Sequence, residues 1–263
     1  MEFRPCIDIH DGRVKQIVGS SLKDSDDDVL ENFVSERDAS YFAKIYREQG
    51  IRGGHIILLN PVTGKFYEKT KRQALDALGV YPGGMQVGGG ITPENAAEFL
   101  DAGASHVIVT SYVFREGRIH YERLEELKRA VGKKRLVLDL SCRRTDEGYV
   151  IVTDRWQTLT TERVDKPLLD KLSDYCDEFL IHAVDVEGKS EGIEEELASF
   201  LGSWSGIPVT YAGGVHDYED LILLKRLGRN RLNVTVGSAL DLFGGSLHWK
   251  KVLEICRGDG CAE

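Results

Sequence analysis

Two aspartates close strand-like apolar runs in equivalent places of the chain, Asp8 in FRPCIDI and Asp139 in RLVLDL. More candidates follow the run EFLIHAV, where His182, Asp185 and Glu187 stand close together. Carboxylates in distinct surroundings are what acid–base catalysis needs. One stays ionised to take a proton, and another stays protonated to give one. An unperturbed carboxyl titrates near pH about 4, so the acid needs burial or a like charge beside it. One strand-end Asp is explained as well by loop capping; an opposed pair between two anion sites points to function.

The anion sites are read from glycines. QVGGGITPENAAEFL supplies Gly88, Gly89 and Gly90, and VTYAGGVHDYEDL supplies Gly213 and Gly214 nearly half a chain later. A second short turn completes each, Thr110-Ser111 and Gly237-Ser238. A glycine turn opening a helix lets backbone N–H groups approach an anion, and the helix dipole adds to the attraction. Two such sets predict a ligand with a phosphate at each end. Trp156, in VTDRWQT, can stack on a flat ring. Lys15 follows the first run, with nothing to mark it as a Schiff-base lysine. Serine and cysteine triads, H-E-x-x-H and Walker loops are missing, so no metal, nicotinamide or flavin is expected.

The positioning elements can be placed. Eight β-rich runs cover 3–9, 54–60, 85–88, 106–110, 135–140, 178–184, 207–212 and 232–237. Their near-continuous apolar character suits parallel strands buried on both faces. Amphipathic segments fill the gaps. SYFAKIYREQG has Ser40 as N-cap and Gly50 as stop; TPENAAEFLDAG has Thr92 as cap and Pro93 at the first helical position. YERLEELKRAVG and DYEDLILLKRLG follow the same logic. The pattern predicts a closed (β/α)8 TIM barrel as one domain over 1–263, its active site on the loops after the strand C-termini. An open doubly wound sheet is the rival. Asp8 answers to Asp139 and each glycine turn has its counterpart, so two half-barrels in tandem are expected. The acidic stretch 20–40 reads as a long βα loop or lid, and the tail CRGDGCAE as frayed.

The chain has 263 residues and a net charge of −9, which argues against a nucleic-acid surface. It shows no apolar run of membrane-spanning length. Five cysteines without C-x-x-C point to a reducing compartment, the cytoplasm, or a plastid if a transit peptide has been removed. Cys6 and Cys142 are expected to be small core residues. A repeat inside one chain needs no partner, so a monomer is expected.

The chain resembles the barrel isomerases of histidine biosynthesis that act on phosphoribosylformimino-aminoimidazole carboxamide ribotide, and most closely their eukaryotic branch. The resemblance covers nearly the whole chain and rests on RPCIDIHDGRVKQIVG, QVGGGI, ASHVIVTS, LDLSCR, TDRWQ, HAVDVEG, TYAGGV and VTVGSALD. It implies Asp8 as catalytic base and Asp139 as a residue that binds or activates substrate. It also implies Glu187, before Gly188, as general acid, with Asp185 as the alternative. Gly19 and Gly188 join the substrate-binding set. His182 stands where the family usually has Thr, Leu58 where bacterial members have Asp, and Thr92 where they have Arg. The implied reaction is a cofactor-free Amadori rearrangement of a bisphosphorylated aminoaldose. The sister cyclase of the pathway and a non-catalytic phosphosugar-binding barrel are the alternatives.

Overall fold

Residues 1–17, 31–154, 156–187 and 192–258 are described by the structure, a computed structural model. Eight parallel strands form its centre: β1 Cys6–His10, β2 Gly54–Leu58, β3 Met85–Gly88, β4 Val107–Val109, β5 Leu136–Asp139, β6 Glu178–His182, β7 Val209–Ala212 and β8 Leu232–Thr235. Each lies beside the next in chain order. The ring closes where Phe3 bridges Val234: Arg4 N–H donates to the Val234 carbonyl (2.8 Å), and Val234 N–H to that of Glu2 (2.9 Å). All eight expected runs form strands of a (β/α)8 barrel.

The α-helices among the described residues are α1 Ala39–Glu48, α2 Tyr67–Val80, α3 Ala96–Asp101, α4 Tyr121–Val131, α5 Lys166–Leu172, α6 Glu195–Ser203, α7 Tyr218–Leu227 and α8 Trp249–Arg257. Asp38 caps α1, its carboxylate accepting from Tyr41 N–H at 2.9 Å, so the expected Ser40 cap is displaced into the helix. A carboxylate there satisfies an orphan N–H and complements the dipole. Helix α3 begins at Ala96 rather than just after Thr92, because Asn95 turns back on the glycine turn. Its Oδ1 accepts from Thr92 N–H (2.8 Å) and its Nδ2 donates to the Gly90 carbonyl (2.9 Å). Helix α8 runs through Cys256 and Arg257, so the tail is ordered at its start. Among the described residues no helix is long and apolar enough to cross a membrane.

Two antiparallel additions depart from the sequence expectation. Arg13–Ile17 pairs with β1, and Glu31–Val34 pairs with it in turn, so part of the stretch read as a loop is strand. Ala39 and Ser40 of that stretch already belong to α1, and its first part, 20–30, lies outside the described residues, as do 18 and 19. After β5, Cys142–Thr145, Gly148–Thr153 and Thr158–Arg163 form a three-stranded sheet that the eight expected runs do not include. Trp156 sits in its second turn.

Inside the barrel the strands stack in layers, as the period of two requires. Glu178, at the N-terminal end of β6, pairs with Arg4 and accepts from Gln86 Nε2 at 2.8 Å and from the Thr210 hydroxyl. Above it Ile108, Val137, Leu180 and Ala212 form an apolar plug. Two residues further along β6 comes His182, at the mouth.

Candidate active site

A cavity of about 460 Å³ opens at the C-terminal ends of the barrel strands. Asp8, Asp139, His182 and Glu187 all line it, together with both glycine turns. Asp8 is not the last residue of its strand; β1 runs on to His10 because Arg13–Ile17 folds back against it. That hairpin brings Gln16 onto Asp8, its Nε2 donating to Asp8 Oδ2 at 3.2 Å. Burial and the charge of Glu187 push the Asp8 carboxyl up to about 7, against the pull of His182, Cys6 and Gln16.

Asp139, at the end of β5, is held differently. Its Oδ1 accepts from the N–H (2.9 Å) and the hydroxyl (2.7 Å) of Ser141, and its Oδ2 from the Thr110 hydroxyl (3.3 Å). His182 Nδ1 lies 3.5 Å from Oδ1. Burial works against the charge, but His182 and Ser141 outweigh it and hold Asp139 below the usual carboxylate range. The same pairing acts on His182. Burial pulls its imidazole down, yet Asp139, Glu187 and Asp8 together raise it to about 9. His182 is therefore an imidazolium at neutral pH, and it bears electrostatically on both aspartates.

Glu187 follows β6. Burial raises its carboxyl, with His182 partly opposing. Its Oε2 lies 3.2 Å from where a Cβ on Gly213 would stand, against the second glycine turn. Asp185 is elsewhere: it accepts from Arg144 N–H at 2.8 Å, lies 3.8 Å from Arg143 Nε and does not line the cavity. The geometry thus brings Glu187, not Asp185, together with Asp8 and Asp139.

The two glycine turns share one backbone. Gly89 and Gly90 have φ of 105° and 69°, and Gly213 and Gly214 have 116° and 79°. A Cβ on Gly89 would lie 2.2 Å from the Leu58 carbonyl oxygen, and one on Gly214 would lie 2.0 Å from that of Gly192. Only glycine fits this left-handed, closely approached backbone. Ser111, Gly237 and Ser238 complete the two sides of the cavity. The Thr110 hydroxyl is already given to Asp139, leaving its backbone for a ligand. Trp156 also adopts the left-handed region (φ 66°), a costly conformation for a bulky residue, and its ring lies 5.7 Å from that of His182. Gly19 and Gly188 lie outside the described residues. Lys15 is buried near His10 and Asp11 and does not line the cavity, nor does Thr92, whereas Leu58 does.

Among the cavity residues that escaped the sequence reading, three stand close to Asp8 or to one another. His55 is hidden in the apolar run GHIILLN, Gln16 lies on the hairpin, and Cys6 was read only as core. Cys6 is buried, as expected, but it faces the cavity. The alternation of inward positions along β1 and β2 was the available signal for Cys6 and His55.

Fold and site together define a (β/α)8 barrel whose mouth joins unequal carboxylates, an imidazolium and two glycine turns. Residues 2–247 match the family described as histidine biosynthesis protein, and the chain belongs to that family. It is similar to a chloroplastic imidazole-4-carboxamide isomerase of Medicago truncatula, 52% identical over 96% of this chain and 81% of the relative. The isomerases carrying the same name in Yarrowia lipolytica (47% identical, 93% of each chain) and Saccharomyces cerevisiae (42%, 97% of each) are further relatives.

Proposed function

We propose that this chain is the isomerase of histidine biosynthesis, converting the phosphoribosyl aminoaldose of an imidazole-4-carboxamide ribotide into its aminoketose. Glu187 gives its proton to the ring oxygen as the C1–O bond breaks, and the nitrogen lone pair forms a C1=N iminium. Asp8 takes the C2 proton, and the released pair forms the C1=C2 bond of an enolamine. Protonation at C1 and loss of the C2 hydroxyl proton give the ketone. The substrate's nitrogen is the electron sink, so these steps need no cofactor.

Each role has a physical basis. A carboxyl raised to about 7 is a stronger base than an ordinary aspartate and is still substantially ionised at neutral pH. Burial raises the Glu187 carboxyl and so favours its protonated form. Asp139 and His182, an ion pair in which each holds the other charged, hold substrate hydroxyls and balance the negative mouth. Trp156 stacks on the imidazole ring. The phosphates bind at Gly89, Gly90 and Thr110-Ser111 on one side, and at Gly213, Gly214 and Gly237-Ser238 on the other. Binding both ends turns affinity into alignment at C1 and C2.

The observation that carries this reading is the meeting of Asp8 and Glu187 in one cavity flanked by both sets of turns. The test is a spectrophotometric assay that supplies the aminoaldose and detects aminoketose through an added cyclase. Formation of aminoketose by the purified chain is expected. Ammonia-dependent consumption of aminoketose by the chain alone would instead make it the cyclase.

A further inference from the structure

Cys6, Asp8 and His55 make a second constellation on the wall of the same cavity. The parallel register sets Cys6 beside His55 on adjacent strands, and Asp8 comes two residues later on the same face as Cys6. One ligand atom from each, Sγ, a carboxylate oxygen and a ring nitrogen, all lie within 4.8 Å of one another. We propose that these three side chains form an inhibitory binding site for a soft divalent cation such as Zn²⁺, closing on the carboxylate of Asp8.

The donor set is the argument. Sulfur, imidazole nitrogen and carboxylate oxygen are the zinc ligands, and three protein ligands with one open position make a complete site. Bonds of about 2.0–2.3 Å in a tetrahedron put ligands about 3.3–3.7 Å apart, so a small side-chain rotation closes the set. His55 is 2% exposed. It lines the cavity, with Cys6 and Asp8 beside it. The fourth position faces the open cavity. As the ion binds, the Cys6 S–H bond breaks, the proton leaves to solvent and the sulfur pair forms the metal bond.

A bound ion would occupy the oxygens that take the C2 proton. That inhibition rests on the base assignment of Asp8; the binding does not. The test uses the full chain freed of metal, titrated with Zn²⁺ by equilibrium dialysis and with Co²⁺ by absorption. One ion per chain and a thiolate-to-cobalt charge-transfer band are expected, with affinity falling at least about tenfold in Cys6→Ser. Isomerisation should fall in parallel and return on adding a chelator. His216→Gln is the control, because His216, Asp217 and Asp220 make the other such cluster among the described residues. A cobalt complex without the thiolate band, zinc binding unchanged in Cys6→Ser, or binding lost in His216→Gln would overturn the site. Cys6-dependent binding that leaves isomerisation untouched would uphold the site and contradict Asp8 as the base.

Discussion

Asp139 and His182 meet at the ends of neighbouring strands, Oδ1 3.5 Å from Nδ1, and each draws the other further into its charged form. The cation so held also pulls on Asp8 and Glu187, so one histidine moderates three acids.

Replacing it should therefore reach the base. His182→Gln removes a positive charge that lowers the Asp8 carboxyl, so the acid limb of the pH profile of kcat/KM should move upward. Turnover should fall about tenfold at neutral pH and recover in part at higher pH. A profile that only drops, without moving, would confine His182 to a structural role.

In the unaltered protein, kcat/KM should rise with pH through about 7 as Asp8 ionises, and decline toward about 9 as His182 loses its proton. The stability consequence has a definite sign. Asp8 titrates higher folded than unfolded, so the folded state binds more protons between about pH 4 and 7, and stability falls as pH rises through that window. Asp8→Asn should remove this loss. Its Tm at pH 8 should exceed the parent's, measured by thermal unfolding across pH, while activity collapses.

Glu187 and Asp185 separate by mutation. Glu187→Gln should lower kcat by about two to four orders of magnitude. Asp185→Asn should cost less than about tenfold, because this carboxylate serves the Arg144 backbone rather than the cavity. Steady-state kinetics on the pair decides between them.

The eight barrel strands were legible because parallel strands buried on both faces are largely apolar, as in Val107–Val109 and the start of Leu136–Asp139. The three-stranded sheet was not, because TLTTER is mostly exposed and CRRT has a single buried residue, so neither reads as an apolar run. Asp8, Asp139 and the glycine turns could be found from their places after strands. Placing Glu187 inside and Asp185 outside needed the pairing of Cys142–Thr145, whose Arg144 N–H takes the Asp185 carboxylate. Likewise His55 reads as one polar residue in an apolar run until the register sets it beside Cys6.

The glycine turns differ in what a methyl group would disturb. Gly89→Ala forces a left-handed alanine against the Leu58 carbonyl, and should cost about 2–3 kcal/mol and lower Tm by about 5 °C. Gly237 has ordinary backbone, and its Cβ would meet the Gln16 amide oxygen 2.6 Å away and the Cys6 sulfur at 3.6 Å. Gly237→Ala should leave Tm nearly unchanged while raising KM about tenfold, by narrowing the anion site and pushing Gln16 from Asp8. Thermal melts and kinetics on both variants check this.

Proton removal from C2 by Asp8 is the step on which the rest depends. Substrate tritiated at C2, given to the parent and to Asp8→Asn, reports it directly. The parent should release tritium to water, and the variant should bind the same substrate while releasing it slower by about two to four orders of magnitude. Release from Asp8→Asn at the parent rate would place the base elsewhere in the barrel.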